Sequence, residues 1–285
     1  MDYLRGSGKI GIVVIATTLG ASCLLSCHSP SQNINGDEPG VQAPGTVAKI
    51  PLLEGSLTVG IENYPYAVSI PPMWEPQRTW PIIVFLHGLG TGRGGKRHDG
   101  HGFRKMLRKA TPPLPVVVVF PQCPLPHFWH EPAMQTMILQ ALKQTIQEFH
   151  GDEHRLYLVG HSLGGFGVWA LAAAHLGIFA ALVPIASSVR LPSEVPCLLD
   201  LCSSSSTTNP YLEVAQRIGR TSIWMFHGAK DPFVSVSEAR QMFNTLRSLE
   251  ANVRYTEYAD RGHRCWKQAY AEPELLPWLL DQHQG

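Results

Sequence analysis

Charge is scarce and balanced in this 285-residue chain: Asp, Glu, Lys and Arg make up 16% of it, and 23 basic against 22 acidic residues leave a formal net charge of +1. The excess of basic residues that gripping a polyanion requires is missing, which argues against nucleic acid as a partner. No segment repeats another, and the 23 Pro and 26 Gly are dispersed between apolar runs, so they punctuate many short elements of one domain. Metal-ligand spacing is also lacking. His98 with His101 and His127 with His130 form two pairs three apart, but neither pair has a third ligand at an obvious spacing, so no metal is expected. What is abundant is apolar material, 44% of the chain, enough for one large core.

The first residues differ from the rest. Arg5 and Lys9 precede a mostly apolar stretch from Ile10 to Leu25, the layout of a secretory signal. The stretch ends in Leu24-Leu25-Ser26-Cys27, which resembles the lipobox of bacterial lipoproteins. That resemblance implies a signal over residues 1–26 and a lipidated Cys27 that anchors the protein to a membrane. Leu25 is less usual in the second place of that motif, and an ordinary cleaved signal or an uncleaved anchor are the alternatives; all three put the protein outside the cytoplasm. Residues 27–50 are rich in Ser, Asn, Gly, Pro and Gln and poor in large apolar side chains, so they cannot repay their ordering entropy and read as a flexible tether with a span of roughly 25 Å. The catalytic domain is then residues 51–285. Of six cysteines, Cys123, Cys197, Cys202 and Cys265 remain beyond the signal. In an exported protein they permit two disulfides, with Cys197 and Cys202 bracketing a short loop and Cys123 and Cys265 each beside an expected active-site loop; free buried thiols are the alternative.

Leu57 to Ile70 alternates as an antiparallel hairpin with Glu62-Asn63-Tyr64-Pro65 near its turn, and Pro71-Pro72 closes it. Four continuous apolar runs follow, Ile82–Leu86, Val116–Phe120, Leu156–Val159 and Ser222–Phe226, too short for helices and bounded by turn residues. They read as buried parallel strands, and Met134–Phe149, Leu163–His175 and Ser237–Leu249 as crossover helices. The expected fold is a doubly wound, mostly parallel α/β sheet opened by an antiparallel hairpin. After the strand ending near Ile185 no insertion is long enough for a helical cap, Leu191–Pro210 reading as a Ser-rich loop, so the pocket is expected to be open and capless.

In such sheets ligands bind beyond the carboxyl ends of the strands. His87-Gly88-Leu89-Gly90, Gly160-His161-Ser162-Leu163-Gly164 and His227-Gly228-Ala229-Lys230-Asp231 occupy those places. Gly-x-Ser-x-Gly between a strand and a helix is the context of a nucleophile elbow, where a sharp turn leaves little room for side chains on either side of Ser162. A serine hydroxyl is a poor nucleophile at neutral pH without a base. His263, in a loop after the strand-like Arg254–Tyr258, supplies one, and Asp231 is the acid that orients it; Asp260 is a rival acid three residues from His263 but reads better as a loop cap. The backbone N–H groups of Leu163 and Leu89 are the expected oxyanion donors, while His87 reads as a packed turn residue.

Taken together, Val84–Gly88, Pro121-Gln122-Cys123-Pro124 followed by Trp129, Gly160–Gly167, Trp224–Pro232, and Gly262-His263 followed by Trp266 resemble the carboxylesterase and feruloyl-esterase-like α/β hydrolases, in particular the bacterial group labelled predicted peptidases. The resemblance runs from about Trp80 to Leu280. It implies the same triad and places Gln122, Trp129 and Trp266 near the active-site cleft, the two indoles as a wall for an aryl or acyl group or as packing. The glycine-rich, basic Thr91–Arg97 segment departs from the acidic turn common in these relatives, which leaves substrate preference open. The expected activity is hydrolysis of small-molecule or polysaccharide-linked esters through an acyl-enzyme on Ser162, with no cofactor. A peptidase with the same triad and a non-catalytic envelope binding protein are the competing readings, the latter having no physical need for all three residues.

Overall fold

The computed structural model describes residues 52–89, 101–190 and 209–284. Eight strands form one sheet: β1 (Leu52–Val59), β2 (Glu62–Ser69), β3 (Trp80–Leu86), β4 (Val117–Pro121), β5 (Gly151–His161), β6 (Ala181–Ile185), β7 (Ser222–Gly228) and β8 (Val253–Tyr258). Their order across the sheet is β1-β2-β4-β3-β5-β6-β7-β8. The β1–β2 and β2–β4 pairs are antiparallel and every other pair is parallel. This is the α/β-hydrolase arrangement expected from the strand pattern.

The hairpin is longer than its alternation indicates. It starts at Leu52 and turns at Gly60-Ile61, where Gly60 has φ +64, so Glu62–Pro65 belongs to the second strand and not to the turn. Strand β5 is likewise longer than its apolar run. Its first half, Gly151–Arg155, is polar and partly solvated, and only the half flanked by neighbours on both sides is buried.

Alternate side chains along the central strands enter opposite faces. Ile82, Val84, Leu86, Val117, Val119, Leu156 and Leu158 join one core. Amphipathic α2 (Pro132–Phe149) and the almost wholly buried, apolar α3 (Leu163–Ala174) cover it, with α4 (Pro210–Ile218) and α5 (Val236–Ser248) beside them. Ile83, Phe85, Val116, Val118, Phe120, Tyr157 and Val159 join the other, packed by Phe103 and Leu107 of α1 (His101–Lys109), Ala269 of α6 (Trp266–Ala269), and Leu275 and Leu279 of α7 (Leu275–Leu280). Helix α4 begins inside what reads as loop: Asn209 caps it, its Oδ1 accepting from the N–H groups of Tyr211 at 3.1 Å and Leu212 at 3.2 Å, with Pro210 in the first turn.

One cysteine expectation is corrected. Cys123 and Cys265 are both free and buried. They belong to the two different cores, on opposite faces of the sheet, and cannot meet. Burial drives the Cys123 thiol far up, and burial together with the charge of Asp231 pushes Cys265 up to about 12. The signal, the tether, Cys27, Cys197, Cys202 and the Leu191–Pro210 segment as far as residue 208 lie outside the described residues. Among the described residues no helix is long and apolar enough to cross a membrane.

Candidate active site

The chain leaves β3 toward β4 on one side and leaves β5 toward β6 on the other, so the carboxyl ends of these adjacent strands form the topological switch point where α/β sheets bind ligands. Ser162 stands there, immediately after β5. Its backbone has φ 54 and ψ −126, a left-handed conformation that costs on the order of 1–3 kcal/mol for a residue with a side chain. The surroundings enforce it. Its N–H donates to the Ile185 carbonyl at 2.9 Å, and its own carbonyl accepts from Gly165 at 2.8 Å and Phe166 at 3.1 Å. A Cβ on Gly164 would collide with the Leu86 carbonyl at the end of β3, which explains a glycine at the first turn of the helix.

Ser162 Oγ lies 2.8 Å from His263 Nε2, and His263 Nδ1 lies 2.8 Å from Asp231 Oδ2. Asp231 follows β7 and His263 follows β8. Their loops interlock, since Lys230 donates to the Arg261 carbonyl at 2.8 Å and Ala229 to the Tyr258 carbonyl at 3.0 Å. Gly228 permits this approach, because a Cβ there would strike the carbonyls of Arg261 and Gly262. The rival acid, Asp260, has its side chain 70% exposed and pairs with Arg261 at 3.4 Å.

The Asp231 side chain is fully buried, yet it is saturated with donors. Oδ1 accepts from the N–H groups of Phe233 at 2.9 Å and Val234 at 3.0 Å, and Oδ2 has His227 Nε2 at 3.3 Å in addition to His263. Burial alone would raise its pKa. The hydrogen bonds from His227, His263, Val234 and Phe233 outweigh that and hold the carboxyl well below the usual carboxylate range. The group is therefore an anion throughout the neutral range and accepts from Nδ1, which leaves Nε2 of His263 facing the serine as a proton acceptor.

The His87–Leu89 turn after β3 closes the other side. His87 is a packed turn residue: Nε2 accepts from the Cys123 N–H at 3.1 Å, and Nδ1 lies 2.9 Å from the Gly88 carbonyl. A Cβ on Gly88 would sit 3.2 Å from Ser162 Cβ, so the turn abuts the nucleophile. Leu89 follows it, 62% exposed. Leu163 is the first residue of α3, and the first N–H groups of a helix have no acceptor within it.

Three side chains were expected beside the cleft. Trp266 is there, stacked on His161 at 4.6 Å and edge-on to His263 at 5.6 Å. Trp129 is not a wall of an open pocket. It is 3% exposed, packs edge-on against His87 at 4.8 Å and donates Nε1–H to the His87 carbonyl at 2.9 Å, so its work is to brace the turn from the core. Gln122 lies just after β4; its N–H donates to the Pro65 carbonyl at 3.0 Å, and its amide to the carbonyls of Phe120 and Pro121 at 3.3 and 3.2 Å.

The sequence did not single out three further neighbours. Phe233 packs edge-on to His263 at 5.2 Å while 74% exposed. His161 Nδ1 lies 2.9 Å from the Tyr270 hydroxyl. His227 approaches Asp231 from within the core. Only the last left a trace, a histidine four residues before an Asp-Pro turn, which a tight turn brings back upon itself.

A mostly parallel sheet presenting Ser, Asp and His after β5, β7 and β8 in this geometry defines an α/β hydrolase. Residues 61–269, most of the chain, match the Esterase family, and the chain belongs to that family. None of the curated proteins matches it. Among solved structures it is similar to a thermostable esterase (24% identity, TM-score 0.66, covering 81% of this chain and 63% of that one). It is also similar to a ferulic acid esterase (14%, 0.62, covering 81% and 97%) and to S-formylglutathione hydrolase FrmB from Staphylococcus aureus (13%, 0.63, covering 82% and 100%). At these identities the likeness is one of fold, and the chain spans less than two thirds of the thermostable esterase.

Proposed function

We propose that the protein is a serine carboxylesterase of the cell envelope that works through an acyl-enzyme on Ser162. The observation carrying this reading is the unbroken line of two 2.8 Å contacts from Ser162 Oγ, at the sheet's switch point, through His263 to a buried, anionic Asp231. His263 Nε2 takes the Oγ proton as Oγ bonds to the ester carbonyl carbon. The carbonyl oxygen gains the negative charge, stabilised by the N–H groups of Leu89 and Leu163. The tetrahedral adduct collapses, the carbon–oxygen bond to the alcohol breaks, and the alcohol leaves with the proton from His263. Water then gives a proton to His263 and attacks the acyl carbon, and Oγ regains its hydrogen as the carboxylic acid departs. Asp231 orients the ring and stabilises its cationic form. Exposed Phe233 beside His263 and exposed Leu89 on the turn offer apolar surface next to the serine, which suits esters with apolar groups. The N-terminal segment ending in Cys27 would carry the enzyme out of the cytoplasm and tether it to a membrane.

The test compares the full chain with Ser162→Ala on short p-nitrophenyl esters and methyl ferulate, and weighs both after a fluorophosphonate probe. Turnover and one covalent adduct in the wild type, with turnover reduced roughly 10⁶-fold and no adduct in the variant, are expected. A folded wild type that neither turns over nor labels overturns the reading; cleavage of peptides but not esters would replace it with a peptidase.

A further inference from the structure

His227 is a buried titratable group that this mechanism does not use. It lies near the end of β7 with 0% exposure, and its Nε2 is 3.0 Å from the Val234 carbonyl. A carbonyl only accepts, so Nε2 carries the hydrogen. The same nitrogen lies 3.3 Å from Asp231 Oδ2, the oxygen that accepts from His263. One N–H is thus shared between the carboxylate and the far end of the 231–234 turn. The other ring nitrogen, Nδ1, is buried with no partner. An unpaired buried nitrogen is a cost that an apolar side chain of similar volume would avoid. What a histidine supplies here and a leucine cannot is the Nε2–H at Asp231.

We propose that His227 is a positioning residue that shares its Nε2–H between Asp231 and Val234, fixing the direction of the carboxylate and dividing its charge between two imidazoles. The inference rests on the Ser162–His263–Asp231 reading. The other groups facing His227 are already engaged. Glu257 pairs with it in register from β8, but that carboxylate is held by Arg240 at 2.9 and 2.5 Å and by the Tyr255 hydroxyl at 2.8 Å. Cys265, from the loop after β8, is a neutral buried thiol near Asp231. Removing the His227 donor returns the charge of Oδ2 to His263 alone, which favours the protonated imidazole and frees the turn to shift.

The experiment compares wild type, His227→Leu and His227→Gln in the full chain. It records the pH profile of kcat/KM on one p-nitrophenyl ester, and the titration of the His263 ring by NMR without substrate. In His227→Leu the acid limb and the NMR midpoint move to higher pH by about half a unit to one unit, and kcat falls roughly 10- to 100-fold with KM little changed. In His227→Gln, whose amide N–H reaches about as far as Nε2, both return to wild type and the rate stays within about threefold. A leucine variant with lowered Tm but an unmoved midpoint reduces His227 to packing and overturns the proposal, as does a glutamine variant that behaves like leucine. Should the leucine variant not fold, His227→Asn, one bond too short, takes its place against glutamine. The NMR midpoint needs no turnover, so an enzyme inert to esters would sink the esterase reading while leaving His227 separately judged.

Discussion

The two sides of Ser162 are built differently. On the acid side, the oxygens of Asp231 face four donors within 3.3 Å, the side chain is sealed from solvent, and the loops after β7 and β8 interlock through backbone bonds. On the side of the His87–Leu89 turn, Trp129 and the Cys123 N–H brace from behind, while Leu89 faces outward at 62% exposure. The acid side handles a fixed charge and must not move. The turn side brings backbone against the serine, and its last described residue faces outward.

Asp231→Asn breaks the first arrangement most sharply. An amide can donate to His263, which turns the imidazole to the wrong tautomer, and kcat should fall about 10⁴-fold while the fold and fluorophosphonate-accessible Ser162 remain. A loss of less than about tenfold, measured by steady-state ester hydrolysis, would mean that the acid is elsewhere. The turn side gives a paired prediction. Leu89→Pro removes an N–H and should cost roughly 100- to 1,000-fold in kcat, whereas Leu89→Ala keeps the N–H and should alter kcat only a few-fold. Equal losses in the two would show that the side chain, not the backbone, does the work.

The smallest effect is on stability. Because the folded pKa of Asp231 is depressed, its contribution is fully present above the ordinary carboxyl value of about 4 and is lost as pH falls through the lower folded value. Urea midpoints measured downward from pH 5 should therefore drop less steeply below about pH 4 in Asp231→Asn than in the wild type.

Much of the fold was legible because burial on both faces writes a strand as a continuous apolar run, as in Ile82–Leu86 and Val116–Phe120. Where only part of a strand is sandwiched, as in Gly151–Arg155, no such run exists and the boundary was missed. Helix α1 was invisible for a related reason: Phe103 and Leu107 are its buried anchors, amid basic residues and the partly buried Met106. At the site, motif and strand order together indicated which Ser, Asp and His the fold would bring within hydrogen-bond reach. Side-chain direction was not legible. An indole near the motif reads alike whether it faces substrate or core, and Trp129 faces the core. Likewise nothing in His227-Gly228 says that the ring turns inward toward Asp231. Cys123 and Cys265 looked like neighbours because both follow strands, but position along a strand does not tell which face a residue joins.

The segment from Gln122 to Trp129 ties the opening hairpin to the turn beside the serine. Gln122 is held by Pro65, His127 Nε2 is 3.1 Å from Glu62 Oε2, and Trp129 grips His87 two residues later. Strand β2 also covers the edge of β4 through Tyr66–Ser69. The smallest portable version of this chain therefore cannot begin at Trp80, although the first of the parallel strands starts there. Trimming residues 52–69 would strip a sheet edge bare and unfasten the brace behind the His87–Leu89 turn in one cut.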